Sequence, residues 1–279
     1  LRAISIEYYV AYLRIIRPVN CLITLISIFV GAWIGKALFT SVHLIIAALI
    51  GFLVCAFGNI VNDIKDIEID KINNPQRPIP SGRVKKNVAW LVAIVFFIVA
   101  AVGAMFLGVY PFLVVITALI LLYLYSVYLK KTLTGNLTVA LITGLSFIFG
   151  GVVGRNLACV VPFVCSIFIH LPREIVKDVI DMKGDGITGA MTLPIVAGIT
   201  RAYNISAVLL AILCLLLPLP FILGILGIGY ITIILLVAYP ILLYTIWRLS
   251  RNPSADELPR ISNLIKVSMG VGLVAMIVS

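Results

Sequence analysis

Asn59, Asp63, Asp66 and Asp70 stand at i, i+4, i+7 and i+11, and Glu174, Asp178, Asp181 and Asp185 repeat that spacing later in the chain. On an α-helix each set falls within about 60° of arc and makes one polar stripe. The chain has only 11 acidic residues, and the two stripes together with Glu68 take eight of them. Two carboxylates about 6 Å apart repel by roughly 3 kcal/mol at an effective dielectric near 20. Each stripe also lies toward the C-terminal end of its helix, where the helix dipole is negative. Cations must therefore sit there. Arg173 and Lys177 neutralise part of the second stripe, but Lys65 is the only basic helical neighbour of the first, so a divalent metal is the natural complement. The candidate ligands, Asn59, Asn62, Asp63, Asp66, Asp70, Asp178, Asp181 and Asp185, are all oxygen donors with no His or Cys cluster beside them. That set favours Mg²⁺ over zinc or copper.

Mg²⁺ held by carboxylates typically keeps positions open for phosphate oxygens. Two facing acidic sets, with Arg77, Arg83, Lys130, Arg173 and Lys177 around them, suit a diphosphate. Metal ions and cationic side chains stabilise charge on a departing diphosphate. An allylic carbocation is left for a nucleophile to capture, and water must be kept out so as not to quench it. Tyr123, Tyr125 and Tyr128 offer aromatic faces to such a cation, or else form an interfacial aromatic belt. A lipid diphosphate with its head at a membrane rim and its tail among helices fits best, so the expected partners are an isoprenoid diphosphate and a lipid acceptor.

The elements that must position these groups are membrane helices. The 279 residues are 62% hydrophobic, with a mean hydropathy of +1.20. Nine long apolar runs lie near 19–38, 42–61, 88–108, 111–129, 137–154, 158–176, 203–224, 228–247 and 261–279. They are too long and too little alternating for strands, which predicts an all-α, polytopic membrane protein. Pro162, His170 and Pro172 interrupt the sixth run. With loops alternating sides, all but Lys36 and Arg155 of the 21 basic residues fall on one face. The positive-inside rule makes that face cytoplasmic, together with the N-terminus and both stripes. The net charge of +10, to which Arg14 and Arg17 belong, thus reads as a topology signal and an attraction for anionic membrane lipids, and nucleic-acid binding is excluded as a function.

Each stripe is followed by a polar loop. In the first, Pro75, Pro78 and Pro80 break any helix and present Arg77 and Arg83, while the second connection runs from Lys177 to Arg201. Segments 42–86 and 158–201 therefore read as a weak internal repeat of span, stripe and loop. The remaining loops are short, and one domain over 1–279 without a linker is expected. The first run reads as a span rather than a signal peptide. The five cysteines contain no CxxC pair and read as packing residues. No obligate protein partner is evident.

These motifs resemble those of the UbiA-type intramembrane prenyltransferases. The run Asn62-Asp63-Ile64-Lys65-Asp66-Ile67-Glu68-Ile69-Asp70 with Arg77-Pro78, the run Asp178, Asp181 and Asp185 preceded by Arg173-Glu174 and Lys177, and the segment Tyr125 to Lys130 each match a family signature. The resemblance implies nine transmembrane helices around a central cavity open sideways to lipid, capped by the two motif-bearing loops. It also implies Mg²⁺ at Asn62, Asp63, Asp66 and Asp70 on one side and at Asp178, Asp181 and Asp185 on the other. Asp66, Asp70, Asp181 and Asp185 then form the catalytic set, while Arg77, Lys130 and Lys177 hold the diphosphate. The runs Arg77 to Arg83, Arg173 to Asp185 and Thr192 to Ile195 are most similar to members that attach a second geranylgeranyl chain to geranylgeranylglyceryl phosphate. Other members prenylate aromatic acids such as 4-hydroxybenzoate.

A transporter is the rival class, because acids within spans often mark ion routes. Depth counts against it, since the acids lie at helix ends and none falls mid-span. Glu68 points away from the first stripe toward Lys71, Asp256 and Glu257 read as surface ion-pair partners of Arg251 and Arg260, and His170 reads as a pocket-lining residue.

Overall fold

The computed structural model describes residues 10–34, 42–187 and 189–279, with the backbone alone at 73, 183–185 and 187. The described residues contain helices and connecting turns but no strand, in the order α1 (Val10–Ile16), α2 (Pro18–Trp33), α3 (Val42–Lys65), α4 (Ile67–Asn73), α5 (Lys86–Leu107), α6 (Val109–Leu124), α7 (Gly135–Val153), α8 (Val160–Ile187), α9 (Leu193–Ala197), α10 (Ile199–Leu216), α11 (Leu219–Ile222), α12 (Ile228–Ile233), α13 (Tyr239–Ser250) and α14 (Leu258–Val278). Among the described residues eight helices are long and apolar enough to cross a membrane, and α1 with α2, bent by 44° at Arg17, makes a ninth when the pair is counted as one span. The expected all-α, multi-pass membrane architecture is what forms. The end of the first expected span, 35–38, lies outside the described residues.

Large apolar side chains face outward over much of α5, α6 and α10, as a lipid solvent allows. The interior divides into two clusters. One is built around α3 with Ile50, Phe57, Ile60 and Val61. The other is built around α10 and α13 with Leu210, Leu213, Tyr230 and Leu242. Helices α2 and α7 form the seam and contribute to both, Ile28 and Phe149 to the first and Val30 and Phe147 to the second. They approach so closely that a Cβ on Gly31 would strike the Phe147 carbonyl and one on Gly150 the Ile28 carbonyl. Small residues at such crossings let backbones pack where no hydrophobic force drives helices together.

Three local features position the polar groups, and two depart from the sequence expectation. The first stripe is not on one continuous helix. Asp66 adopts φ −87° and ψ 2° between α3 and α4, so Asp63 belongs to one helix and Asp70 to the next. Backbone bonds from Asp66 N–H to Asn62 O (3.0 Å) and from Asp70 N–H to Asp66 O (2.8 Å) keep the two helices coupled. By contrast, α8 does not stop near 176 but runs 28 residues through Pro172. Proline costs one backbone bond there, and packing of α8 against α7, α10 and α14 holds the helix on course. Most of what reads as a polar loop after Lys177 is therefore helix. The third feature is a π-helical turn over Tyr125–Leu129 at the end of α6, closed by Lys130 N–H on Tyr125 O at 2.9 Å. Such bulges rotate the side chains that follow and recur at functional sites.

Candidate active site

The carboxylates of the first motif are buried: Asp63 is 5% exposed, Asp66 8% and Asp70 4%. Buried charges persist only when paired, and each of these has a basic partner. Arg17 reaches from the α1–α2 junction to Asp63 at 2.5 Å. Arg77, on the loop after α4, pairs with Asp70 at 2.6 Å and lies 3.8 Å from Asp63. Lys130, delivered by the π turn, pairs with Asp66 and donates to Asn62 Oδ1 at 3.3 Å. Asn62 in turn donates to Asp66 Oδ2 at 3.0 Å. Lys65, the only neighbour that helical periodicity offers, instead sits over the Trp90 ring at 5.8 Å.

The second motif is arranged differently. Glu174 takes both nearby cations, Arg173 and Lys177, each at 2.8 Å. Asp178 accepts the Asn136 amide at 2.6 Å. Asp181 is exposed on α8 and makes no ion pair or hydrogen bond among the described residues. The side chain of Asp185, an expected ligand, lies outside the described residues. The Arg173 Nε is buried without an acceptor among the described residues, a cost of about 1–3 kcal/mol unless a ligand or water meets it.

Tyr125 joins the two motifs. It lies close enough to Asp66, Glu174, Asp178 and Arg17 for charge from both motifs to act on its hydroxyl. Tyr123 and Tyr128 face outward, 40% and 65% exposed, as the residues of an interfacial belt would. Two further expectations part from the geometry. The Asn59 amide N–H donates to Ile16 O at 2.9 Å and fastens α3 to the end of α1, one turn below the acids. Arg83 donates to Gln76 O and, through Nε, to Ser81 Oγ at 3.0 Å, so it braces its own loop. Glu68 pairs with Lys71 at 2.9 Å, away from the site, as its helical angle indicates. Arg248 takes Glu257, the acid that sequence assigned to Arg251 or Arg260.

Sequence reasoning missed Arg17 and Asn136. Arg17 looked like a topology charge, and its one distinguishing signal is the following Pro18 that starts α2. Asn136 is a lone amide on an apolar helix, with no spacing to mark it. Among the described residues no three His, Cys, Asp or Glu side chains converge closely enough to hold a metal ion. Arg17, Arg77, Lys130 and the Asn136 amide occupy the positions beside the carboxylates instead, standing in for external positive charge. The donors themselves, carboxylate and amide oxygens without sulfur or imidazole, fit a hard divalent cation.

Residues 24–265 match the UbiA prenyltransferase family. The digeranylgeranylglyceryl phosphate synthase of Methanothermobacter thermautotrophicus is 37% identical over 266 residues, 95% of this chain and 94% of that protein. The synthase of the same name from Methanocaldococcus jannaschii is 35% identical and covers 99% and 98% of the two chains. A solved structure of a digeranylgeranylglyceryl phosphate synthase superimposes with a TM-score of 0.84 at 35% identity over 98% of both chains. A UbiA homologue from Archaeoglobus fulgidus bound to GPP and Mg²⁺ shares the fold, with a TM-score of 0.72 at 24% identity over 96% of this chain and 100% of that one. A sequence and a fold matched over nearly their whole length place this chain in the UbiA prenyltransferase family.

Proposed function

We propose that this chain transfers a geranylgeranyl group from geranylgeranyl diphosphate to the free hydroxyl of geranylgeranylglyceryl phosphate, making an ether lipid at the cytoplasmic face of the cell membrane. The observation that carries this is that acids of both motifs, Asp66 from the first and Glu174 and Asp178 from the second, lie near one residue, Tyr125. It is joined by the likeness to synthases named for that product.

Lys130 and Lys177, 34% and 41% exposed, are the mobile cations best placed to turn toward diphosphate oxygens. Arg173 offers its unmet Nε to the same group, and Arg77 stands on the far side of Asp70. Asp63, Asp66 and Asp70 with Asn62 would hold Mg²⁺ from one motif, and Asp178, Asp181 and Asp185 from the other. When bound, Mg²⁺ supplies positive charge for the leaving diphosphate. The C1–O bond of the donor breaks with its electron pair going to diphosphate, and the acceptor oxygen forms the new bond to C1. The hydroxyl proton leaves with the products, so charge and atoms balance. Tyr125 presents its ring to the allylic cation, and the apolar helix walls keep water from competing for it.

The test is to offer labelled geranylgeranyl diphosphate and Mg²⁺ to reconstituted protein with geranylgeranylglyceryl phosphate or 4-hydroxybenzoate in parallel. Ether product from the glyceryl phosphate alone is expected. Product from 4-hydroxybenzoate alone would reassign the acceptor, and ion flux without any prenyl transfer would reassign the class.

A further inference from the structure

A cavity of about 530 Å³ opens beside Asp63 between the α1–α2 junction and the loop after α4, and Arg14, Arg17, Asn74, Gln76 and Arg77 line it with Asp63. Of the groups assigned above to the diphosphate and the cation, Arg77 and Asp63 border it, and Tyr125, Lys130, Arg173 and Lys177 do not. Three guanidiniums here meet two carboxylates: Arg17 goes to Asp63, and Arg77 to Asp70 and Asp63. Arg14 is exposed, and its side chain makes no ion pair or hydrogen bond among the described residues. The cavity thus carries an excess of positive charge over acids that are already neutralised.

Its walls are fixed in advance. Arg17 holds a left-handed backbone, φ 54° and ψ 70°, a conformation that disfavours residues with a Cβ and that marks functional strain when the surroundings enforce it. Here it brings the guanidinium onto Asp63. On the other side, Arg77 N–H bonds Asn74 O and Val84 N–H bonds Pro78 O, both at 2.9 Å, while Arg83 ties Gln76 O to Ser81. Planar guanidiniums on rigid supports match the oxygens of a phosphate monoester. The prenyl donor is a diphosphate, and of the two proposed substrates only the acceptor bears a monoester.

We infer that this cavity binds the phosphate of the acceptor, with Arg14 as the residue that selects phosphorylated over phosphate-free acceptors. The inference rests on the reaction proposed above. The test uses full-length chain in nanodiscs, comparing wild type with Arg14→Gln and Arg14→Lys. Arg14→Gln should raise the KM for geranylgeranylglyceryl phosphate about tenfold or more and move that for geranylgeranyl diphosphate less than about twofold. Preference over the same acceptor without its phosphate should fall by the matching factor, and Arg14→Lys should restore part of it. In neutral-lipid discs, wild type should broaden the ³¹P resonance of soluble glycerol phosphate and Arg14→Gln should not. An unchanged acceptor KM would overturn the inference alone. So would a raised diphosphate KM, which would give the cavity to the donor. Loss of the ³¹P effect on adding anionic lipid, with acceptor KM unmoved in the variant, would give it to membrane head groups. Wild type that makes no ether product would overturn the reaction and this subsite together.

Discussion

The two acidic motifs begin from the same spacing and end in different states. In the first, a break at Asp66 splits the stripe across α3 and α4, and every carboxylate is buried and held by Arg17, Arg77 or Lys130. In the second, the stripe stays on one continuous helix, the cations gather on Glu174, and Asp181 is left at the surface. Burial explains the contrast. Carboxylates out of water need counter-charge within the protein, whereas an exposed one is solvated and can wait for it. The first motif is thus a structural joint as well as a ligand set, binding α1, α4 and the end of α6 to α3. The second is closer to a ligand set alone.

That contrast can be broken by mutation. The largest expected effect is on turnover: Asp66→Ala and Asp181→Ala should each lower kcat by about 10³-fold, since each removes a proposed ligand worth several kcal/mol of transition-state stabilisation. Equal activity in either variant, measured with labelled donor, would remove that residue from the site. A smaller effect separates the motifs. Asp66→Ala leaves Lys130 without its acid and should cost about 1–3 kcal/mol of stability, discounted for the partial exposure of Lys130. Asp181→Ala, which breaks no contact, should leave the thermal midpoint in detergent unchanged. A matching loss in both would erase the distinction. Smallest of the three, Lys130→Met should raise the KM for prenyl diphosphate about tenfold, the loss of one charge-assisted contact, with the acceptor KM little changed.

The helices and the acids were legible in the sequence because each rests on a local rule. Long apolar runs have one outcome in lipid, and a four-three-four spacing makes one stripe on a continuous helix, which the second motif keeps and the first breaks at Asp66. The failures come from tertiary choice. Helical periodicity named Lys65 as the partner of the first stripe, but Arg17, Arg77 and Lys130 come from 46, 7 and 64 residues away, and no periodicity carries that information. Pro172 interrupts the sixth apolar run, yet α8 continues through it, packed against neighbouring helices. Tyr123 lies about 200° from Tyr125 on a helix, which periodicity gives, but the turn of Tyr128 away from Tyr125 falls in a π bulge that has no signature in residue type. Arg83 and Asn59 had the right chemistry, yet nearby backbone carbonyls claimed them.

The most direct test of a shared site is Mn²⁺ binding followed by electron paramagnetic resonance, in reconstituted protein with an unreactive prenyl diphosphate analogue. Two ions per chain with a resolved dipolar coupling are predicted, one lost in Asp66→Ala and the other in Asp181→Ala. A single uncoupled ion, or the same stoichiometry in wild type and both variants, would contradict a diphosphate gripped between the two motifs.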